Sequence, residues 1–161
     1  MSDFDIRAAA PADIPDLVVM ADALGAFHGE QTRADPDTLK RDLFAQPIWL
    51  WGLIARAGPD AIGYALMLPT AQAQHARRGL DLHHMYVAAA WRGRGVGRAL
   101  MAAVEDHARR LDCAYVTIGT DPANTGAQAA YQAMGYARRA PGTGRPTPPP
   151  SRGPGRCRFH R

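Results

Sequence analysis

Trp91-Arg92-Gly93-Arg94-Gly95-Val96-Gly97-Arg98-Ala99-Leu100 is the stretch of the chain that decides its fold. It joins a predicted strand, Leu80–Val87, to a predicted helix, Val96–Arg110. Three glycines within five positions leave backbone N–H groups uncovered at the start of that helix, where the helix dipole is positive. Exposed N–H groups and three nearby arginines favour an anion, so the stretch predicts a binding site for a pyrophosphate.

Two common phosphate-binding patterns do not fit this stretch. A P-loop ends in glycine, lysine and serine or threonine, and the only lysine of the chain is Lys40. A dinucleotide-binding fingerprint needs a glycine at its sixth position, and counted from Gly93 that position is Arg98. The turn also follows the fourth predicted strand, whereas the fingerprint follows the first. The stretch is therefore neither a P-loop nor a dinucleotide-binding fingerprint.

A second pattern lies further along the chain, as Asn124-x-x-Ala127-x-x-x-Tyr131-x-x-x-Gly135-Tyr136. Asn124 and Tyr131 are separated by about two helical turns, so their side chains are expected on the same side of a helix. Taken without the glycine turn, Asn124 is only a helix N-cap and Tyr131 only a core aromatic residue.

Together the two patterns resemble those of the GNAT superfamily of N-acetyltransferases, over about residues 4–137. Arg92, Gly95 and Gly97 match the Arg/Gln-x-x-Gly-x-Gly/Ala motif with which that family binds acetyl-coenzyme A (acetyl-CoA). The resemblance implies that the backbone amides of this turn hold the pyrophosphate of the cosubstrate. The turn consists of Arg92, Gly93, Arg94, Gly95, Val96, Gly97 and Arg98.

The resemblance also assigns roles to the strand before the turn and to the second pattern. It implies that a bulge splays the strand from its neighbour, and that backbone groups of Met85 and Val87, on either side of Tyr86, bind the pantetheine arm. It implies that Asn124 contacts coenzyme A and that Tyr131 lies beside the sulfur as a general acid, because the leaving thiolate must be protonated or stabilised.

Hydrophobic patterning predicts an α/β fold with elements in the order β-α-α-β-β-β-α-β-α. A Gly58-Pro59-Asp60 turn predicts an antiparallel hairpin, and the helical crossover makes the fourth and fifth strands parallel. The resemblance implies a single domain, residues 1–139, whose mixed, mostly antiparallel sheet has a splayed central parallel strand pair and flanking helices. The remaining predicted strands are Phe4–Ala9, Ile48–Ala55, Ala61–Leu68 and Ala114–Gly119.

The sequence predicts several further features of these helices, strands and connections. The first helix is expected to bury one face as far as Phe27, residues 70–79 to form a polar connection, and a short strand to lie near Tyr136. The dipeptide Asp121-Pro122 is expected to end the fifth strand.

Charge and composition change abruptly near residue 139. Residues 138–161 hold seven arginines and no acid, whereas residues 1–137 hold twelve basic and fifteen acidic residues. Six prolines and four glycines between Ala140 and Gly155 predict an extended tail, residues 140–161, with at most a short strand at Cys157–His160. Binding of nucleic acid by this tail is a weaker alternative, because Phe159 is its only aromatic residue.

Two adjacent histidines stand where many members of the family have acidic residues. Acetyl transfer needs a neutral amine, so a base or a water relay must remove a proton from an ammonium of pKa about 10. His83 is the predicted base, since histidine titrates near neutral pH, although His83 and His84 could also simply pack against their neighbours. The strand period predicts two faces, Asp81, His83 and Met85 on one and Leu82, His84 and Tyr86 on the other.

The predicted function is acetyl-CoA-dependent transfer of an acetyl group to the amine of a small molecule or a peptide. The alternative is a non-catalytic coenzyme A-binding module of the same fold. Because histidines replace the acidic pair, polyamine specificity does not carry over, and a neutral or anionic acceptor is favoured. Position alone makes His28, Glu30, Trp49 and Trp51 candidates for acceptor contacts, although the two tryptophans are more typical of a core.

The composition of the chain indicates the cellular compartment and the partners that we expect for the protein. Cys113 and Cys157 form neither a disulfide framework nor a metal pattern, so a reducing cytoplasm and no metal are expected. No apolar run reaches the ~18 residues of a membrane span, and no secretory signal is visible at the N-terminus. A homodimer is a further expectation, because small domains often form one.

Overall fold

The structure is a computed structural model, and it describes residues 3–31, 33–120, 123–138 and the backbone of 158–159. Its elements follow the predicted order, and a last short strand, Arg158–Phe159, lies within the predicted Cys157–His160. The strands are β1 (Asp5–Ala8), β2 (Trp51–Ala57), β3 (Asp60–Gln72), β4 (Arg77–Val87), β5 (Tyr115–Ile118) and β6 (Arg158–Phe159). The α-helices are α1 (Ile14–Phe27), α2 (Pro36–Phe44), α3 (Val96–Arg110) and α4 (Thr125–Ala133).

The six strands form one sheet in chain order, β1-β2-β3-β4-β5-β6. The first three pairings are antiparallel, and β4–β5 and β5–β6 are parallel, which confirms the mixed sheet with its central parallel pair. On one face of the sheet α1 and α2 cover a core that includes Tyr64, and on the other face α3 packs together with Tyr131 of α4.

The hairpin of β3 and β4 is longer than predicted. Residues 70–79 do not form a polar connection, because β3 continues to Gln72 and β4 begins at Arg77 across a turn in which Ala76 has a φ of 49°. The pairs Thr70↔Gly79 and Gln72↔Arg77 extend the ladder past the apolar core. Backbone hydrogen bonds continue the hairpin here without the alternating apolar side chains on which the prediction relied.

The strand predicted from Ile48 begins three residues later, at Trp51. Trp49 and Leu50 each donate a backbone N–H to the carbonyl of Asp42 at 3.0 Å, so this segment folds back onto the last turn of α2 and does not pair in the sheet. Trp49 is 64% exposed, and the expectation that it lies in the core is wrong.

Other boundaries differ by a residue or two. Phe27, expected to be buried, is 60% exposed, because this last residue of α1 lines the open cavity and not the core. The strand expected near Tyr136 is a single bridge residue, Ala137. Asp121-Pro122 and the tail segment 140–155 lie outside the described residues, and the boundary at residue 139 stays a prediction. Of the tail, β6 pairs with Thr117 and Ile118.

A buried carboxylate ties the start of α1 to the sheet. Asp13 is 1% exposed, and its two oxygens accept hydrogen bonds from both Nη atoms of Arg7, at 2.7 and 2.8 Å. Arg56 Nη2 adds a bond of 2.8 Å from β2, and the N–H of Ala10 adds another of 2.8 Å. Hydrogen bonds from Arg7 above all hold the pKa of Asp13 well below its usual range, so the carboxylate is charged at neutral pH.

Strand β4 carries a bulge at His83. Leu66 of β3 pairs with His84 and Met67 pairs with Leu82, so His83 is the extra residue in β4. The predicted alternation is therefore wrong across this point. Leu82 and Met85, assigned to opposite faces, both pack in the core on the α3 side, because the extra residue shifts the period by one.

Candidate active site

A cavity opens where β4 and β5 separate. The parallel pairing runs from Gly79↔Tyr115 to Leu82↔Ile118, where β5 ends, while β4 continues to Val87. The gap beyond this point holds a cavity of about 640 Å³. It is walled by the C-terminal half of α1, the second half of β4, the residues after β5 and one side of α4.

The edge of β4 that faces this gap offers backbone hydrogen-bonding groups. The N–H of Ala88 donates to the carbonyl of Ile62 on β3 at 2.9 Å. Since paired residues alternate along an antiparallel ladder, the N–H and C=O groups of Val87 and Met85 point away from β3. Met85 and Val87 therefore present polar backbone groups towards the gap, whereas those of Tyr86 face β3. All three residues line the cavity.

The glycine turn leaves the start of α3 open to an anion. Gly93 and Gly95 have φ values of 74° and 86°, which only glycine adopts without strain, and Gly95 caps the helix without a side chain. The first helical hydrogen bond runs from the N–H of Ala99 to the carbonyl of Gly95 at 3.0 Å. The N–H groups of the first helical turn, Val96 to Arg98, therefore have no acceptor within the helix.

The three arginines of the turn are exposed around this helix start. Arg92 donates from Nε to the carbonyl of Val87 at 3.0 Å, and its guanidinium lies 5.3 Å from the ring centroid of Phe27. The guanidinium of Arg94 lies 5.0 Å from the ring centroid of Trp91. Arg92 thus contacts both the end of β4 and the end of α1, and it also lines the cavity.

Asn124 and Tyr131 lie on the opposite wall, on α4. Asn124 Oδ1 accepts the N–H of Ala127 at 3.0 Å, so the N-cap role expected of it is present, and its side chain also lines the cavity. Tyr131 is 6% exposed and lines the cavity as well. Burial raises the pKa of Tyr131 to about 12, so its hydroxyl keeps its proton at neutral pH.

The bulge brings both histidine rings to the cavity. Their centroids are 4.3 Å apart and their planes differ by 12°, so the rings are stacked. His83 is exposed, whereas Nδ1 of the half-buried His84 has no hydrogen-bond partner within the described part of the chain. Burial, followed by the neighbouring His83 and His28, lowers the pKa of His84 to about 4. At neutral pH His84 is therefore uncharged and a weak base.

The structure separates the candidates for acceptor contacts. His28 and Glu30 line the cavity, at the end of α1 and just after it. Trp49 lies elsewhere on the surface, and the half-buried Trp51 packs 5.6 Å from the ring of His107. Asp22, on the same wall, was missed because the apolar period of α1 identifies its buried face and carries no signal for a cavity on its flank.

The described residues contain no group of three or more His, Cys, Asp or Glu side chains placed to hold a metal ion. None of their helices combines the length and apolar character needed to cross a membrane.

Comparison with known proteins also indicates an acetyltransferase. The family model described as "Acetyltransferase (GNAT) family" matches residues 19–136. N-acetyltransferase 8B of Rattus norvegicus is 30% identical over 83 residues, which is 52% of this chain and 37% of that protein. The alignment thus spans little more than a third of the curated relative's length.

Solved structures share the fold. Aminoglycoside N-acetyltransferase AAC(6')-Iy in complex with CoA has a TM-score of 0.69 at 25% identity, covering 82% of this chain and 86% of that one. An aminoglycoside acetyltransferase from an uncultured soil metagenomic sample has a TM-score of 0.72 at 16% identity, with coverages of 90% and 99%. Ribosomal-protein-alanine N-acetyltransferase from Brucella melitensis biovar Abortus 2308 has a TM-score of 0.68 at 19% identity, with coverages of 81% and 90%. With the family model spanning most of its length, the chain belongs to the acetyltransferase (GNAT) family.

Proposed function

We propose that the protein is an acetyl-CoA-dependent N-acetyltransferase that acts on the amine of a small molecule or a peptide. The observation that carries this proposal is the cavity in the gap between β4 and β5. It adjoins the glycine turn through Arg92 and is lined by Tyr131, His83 and His84. A donor held along the edge of β4 would pass from the glycine turn, past the open backbone, to these side chains.

The cosubstrate would be held mainly by backbone groups. The amides of the glycine turn, Arg92 to Arg98, would bind the pyrophosphate, with the arginine side chains adding positive charge. The backbone of Met85 and Val87 would bind the pantetheine arm beside Tyr86, which lines the cavity between them, and Asn124 would contact coenzyme A from α4. Arg92 Nε already donates to the carbonyl of Val87, and because a carbonyl oxygen has two lone pairs, the pantetheine would share this acceptor with Arg92.

Acetyl-CoA supplies an activated acetyl thioester, and the residues of the chain handle the protons around it. His83 would take a proton from the ammonium of the acceptor, since it is the exposed member of the histidine pair, whereas burial lowers the pKa of His84 and makes it a weak base. Tyr131 would donate a hydrogen bond to the departing thiolate. Its pKa of about 12 exceeds the ~8.5 typical of a thiol, so this hydrogen bond stabilises the thiolate more readily than full proton transfer does.

The chain would consist of one domain followed by a tail. Residues 1–139 would form the acetyltransferase domain, and residues 140–161 a tail that contributes β6 to the sheet edge. A cytoplasmic location and a homodimer stay predictions.

Thiol release from acetyl-CoA tests the proposal directly. The full chain is incubated with acetyl-CoA and a panel of alkylamines, amino sugars and peptides with free N-termini, and acetylated products are identified by mass. We expect amine-dependent thiol release with at least one member, and a rate about 10²-fold lower in Tyr131→Phe. A chain that binds coenzyme A and acetylates no amine would contradict the proposal and favour the non-catalytic module.

A further inference from the structure

Asp22 is a half-buried carboxylate of the cavity, and within the described part of the chain it has no cationic partner. Asp22 lies on α1, is half-buried and lines the cavity. Its Oδ1 accepts the backbone N–H of Ala34 at 2.7 Å, which fixes the orientation of the carboxylate. Among the described residues Asp22 takes part in no ion pair, in contrast to the buried Asp13, which is held by two arginines.

A fixed, half-buried carboxylate beside a cavity is suited to a cationic ligand. Partial burial weakens the screening by water, and one oxygen remains available for a charge-assisted hydrogen bond. The negative charge also acts on the interior, because Asp22 contributes, after burial and Tyr86, to the raised pKa of the buried Tyr64.

Other charged groups of the cavity do not neutralise Asp22. Arg92 is bonded to the carbonyl of Val87 and lies against Phe27. Arg33 is exposed and lies beyond ion-pair distance of Asp22, and Glu30 is an exposed second acid. The remaining titratable groups of the cavity are His28, His83, His84, Tyr86 and Tyr131.

We expect the cation that pairs with Asp22 to be a group other than the reacting amine. An ion pair with the reacting ammonium would stabilise its charged form and oppose the loss of the proton that acetyl transfer requires. We propose that Asp22 binds a second cationic group of the acceptor, so that the acceptor is a diamine or a larger polyamine acetylated at one amine while another pairs with Asp22. This rests on the proposed function, and it replaces the neutral or anionic acceptor that the histidines favoured.

Binding of matched amines tests the proposal without depending on turnover. Linear diamines from ethylenediamine to cadaverine, each paired with the monoamine of the same carbon chain, are titrated by calorimetry into the full chain saturated with coenzyme A. We expect at least one diamine to bind about tenfold more tightly than its monoamine, as a charge-assisted hydrogen bond allows. The preference should weaken as salt is added.

Two variants assign the preference to a residue. Asp22→Asn keeps an acceptor for the N–H of Ala34 and removes the charge, so it should bind both members of the pair equally. Asp60→Asn removes the same charge from an exposed acid outside the cavity and should keep the preference. Their thermal midpoints verify that both variants fold.

The outcomes separate the two proposals. A wild-type chain with no preference for any diamine, or a preference that survives in Asp22→Asn, would overturn the assignment of Asp22. A preference that depends on Asp22, in a chain that acetylates no amine, would leave the assignment standing and contradict the acetyltransferase proposal.

Discussion

The Tyr131 hydroxyl keeps its proton because the side chain is buried beside the cavity, and this gives a prediction at the scale of one residue. Tyr131→Phe should lower kcat about 10²-fold, because the thiolate loses its hydrogen-bond donor, and should leave the dissociation constant of coenzyme A within about twofold. Steady-state rates and equilibrium binding provide the two measurements.

A matched control lies next to it. The rings of Tyr131 and Tyr136 are 6.1 Å apart, and the Tyr136 hydroxyl donates to Glu105 at 2.6 Å, away from the cavity lining. Tyr136→Phe should therefore lower the free energy of unfolding and leave kcat unchanged. Equal losses of kcat in both variants would mean that packing, and not the donor, explains the effect.

His83 gives a second prediction, which depends on pH. His83→Ala should lower turnover about 10²-fold at pH 7 and less than about tenfold at pH 9, because an amine of pKa about 10 needs less help from a base as the pH rises. His75→Ala, on the turn between β3 and β4, is the control and should match the wild type. A loss of the same size at both pH values would exclude His83 as the base.

At the scale of the element, the start of α3 depends on one backbone conformation. Gly95 has a φ of 86°, so Gly95→Ala should strain the turn, lower the free energy of unfolding by about 1–2 kcal/mol and misplace the N–H groups of the first turn. We expect weaker binding of coenzyme A by calorimetry, together with the loss of stability in urea.

Gly97 provides the comparison for this substitution. It lies within α3, and an added Cβ would meet only Val87 Cγ2, at an ordinary contact distance of 3.9 Å. Gly97→Ala should therefore keep or slightly raise the stability, since alanine is the better helix former. If Gly95→Ala bound coenzyme A as tightly as the wild type, the turn would not be the pyrophosphate site.

How far the elements were predictable depends on the range of the interactions that determine them. Helix α3 was predicted at its observed bounds, because glycines and apolar spacing act within the local chain. The extra residue at His83 appears only when β4 is aligned with β3, so the local alternation could not reveal it. Asp22 reaches the cavity through the packing of α1 on the sheet, which no local pattern encodes.

At the scale of the whole molecule, the ion pairs of Asp13 join β1, β2 and the start of α1. Asp13→Asn should lower the free energy of unfolding at pH 7 by about 3 kcal/mol, because two arginines lose a buried partner. Urea unfolding measures this change, and Asp5→Asn, which removes an exposed carboxylate from β1, is the control. A loss below about 1 kcal/mol would mean that the network is dispensable.

The same carboxylate predicts how the fold responds to acid. Its pKa is lowered in the folded state, so its stabilising contribution is present above the unfolded pKa of about 3.9 and is lost as the pH falls towards the folded value. The wild type should therefore lose stability below about pH 4, and Asp13→Asn should lose less over the same range. Parallel acid dependence in the two proteins would contradict this account.

The extra residue in β4 also affects how the protein can change over evolutionary time. Leu80, before it, contributes to the apolar interior, whereas the extra residue His83 and the following His84 contribute to the cavity, so the two parts of one strand are under different selection. Loss of one residue here would exchange the faces of every later side chain in β4. Single substitutions in β4 can therefore alter which ligand the cavity recognises. An insertion or deletion in β4 would instead turn all its cavity-lining side chains away together.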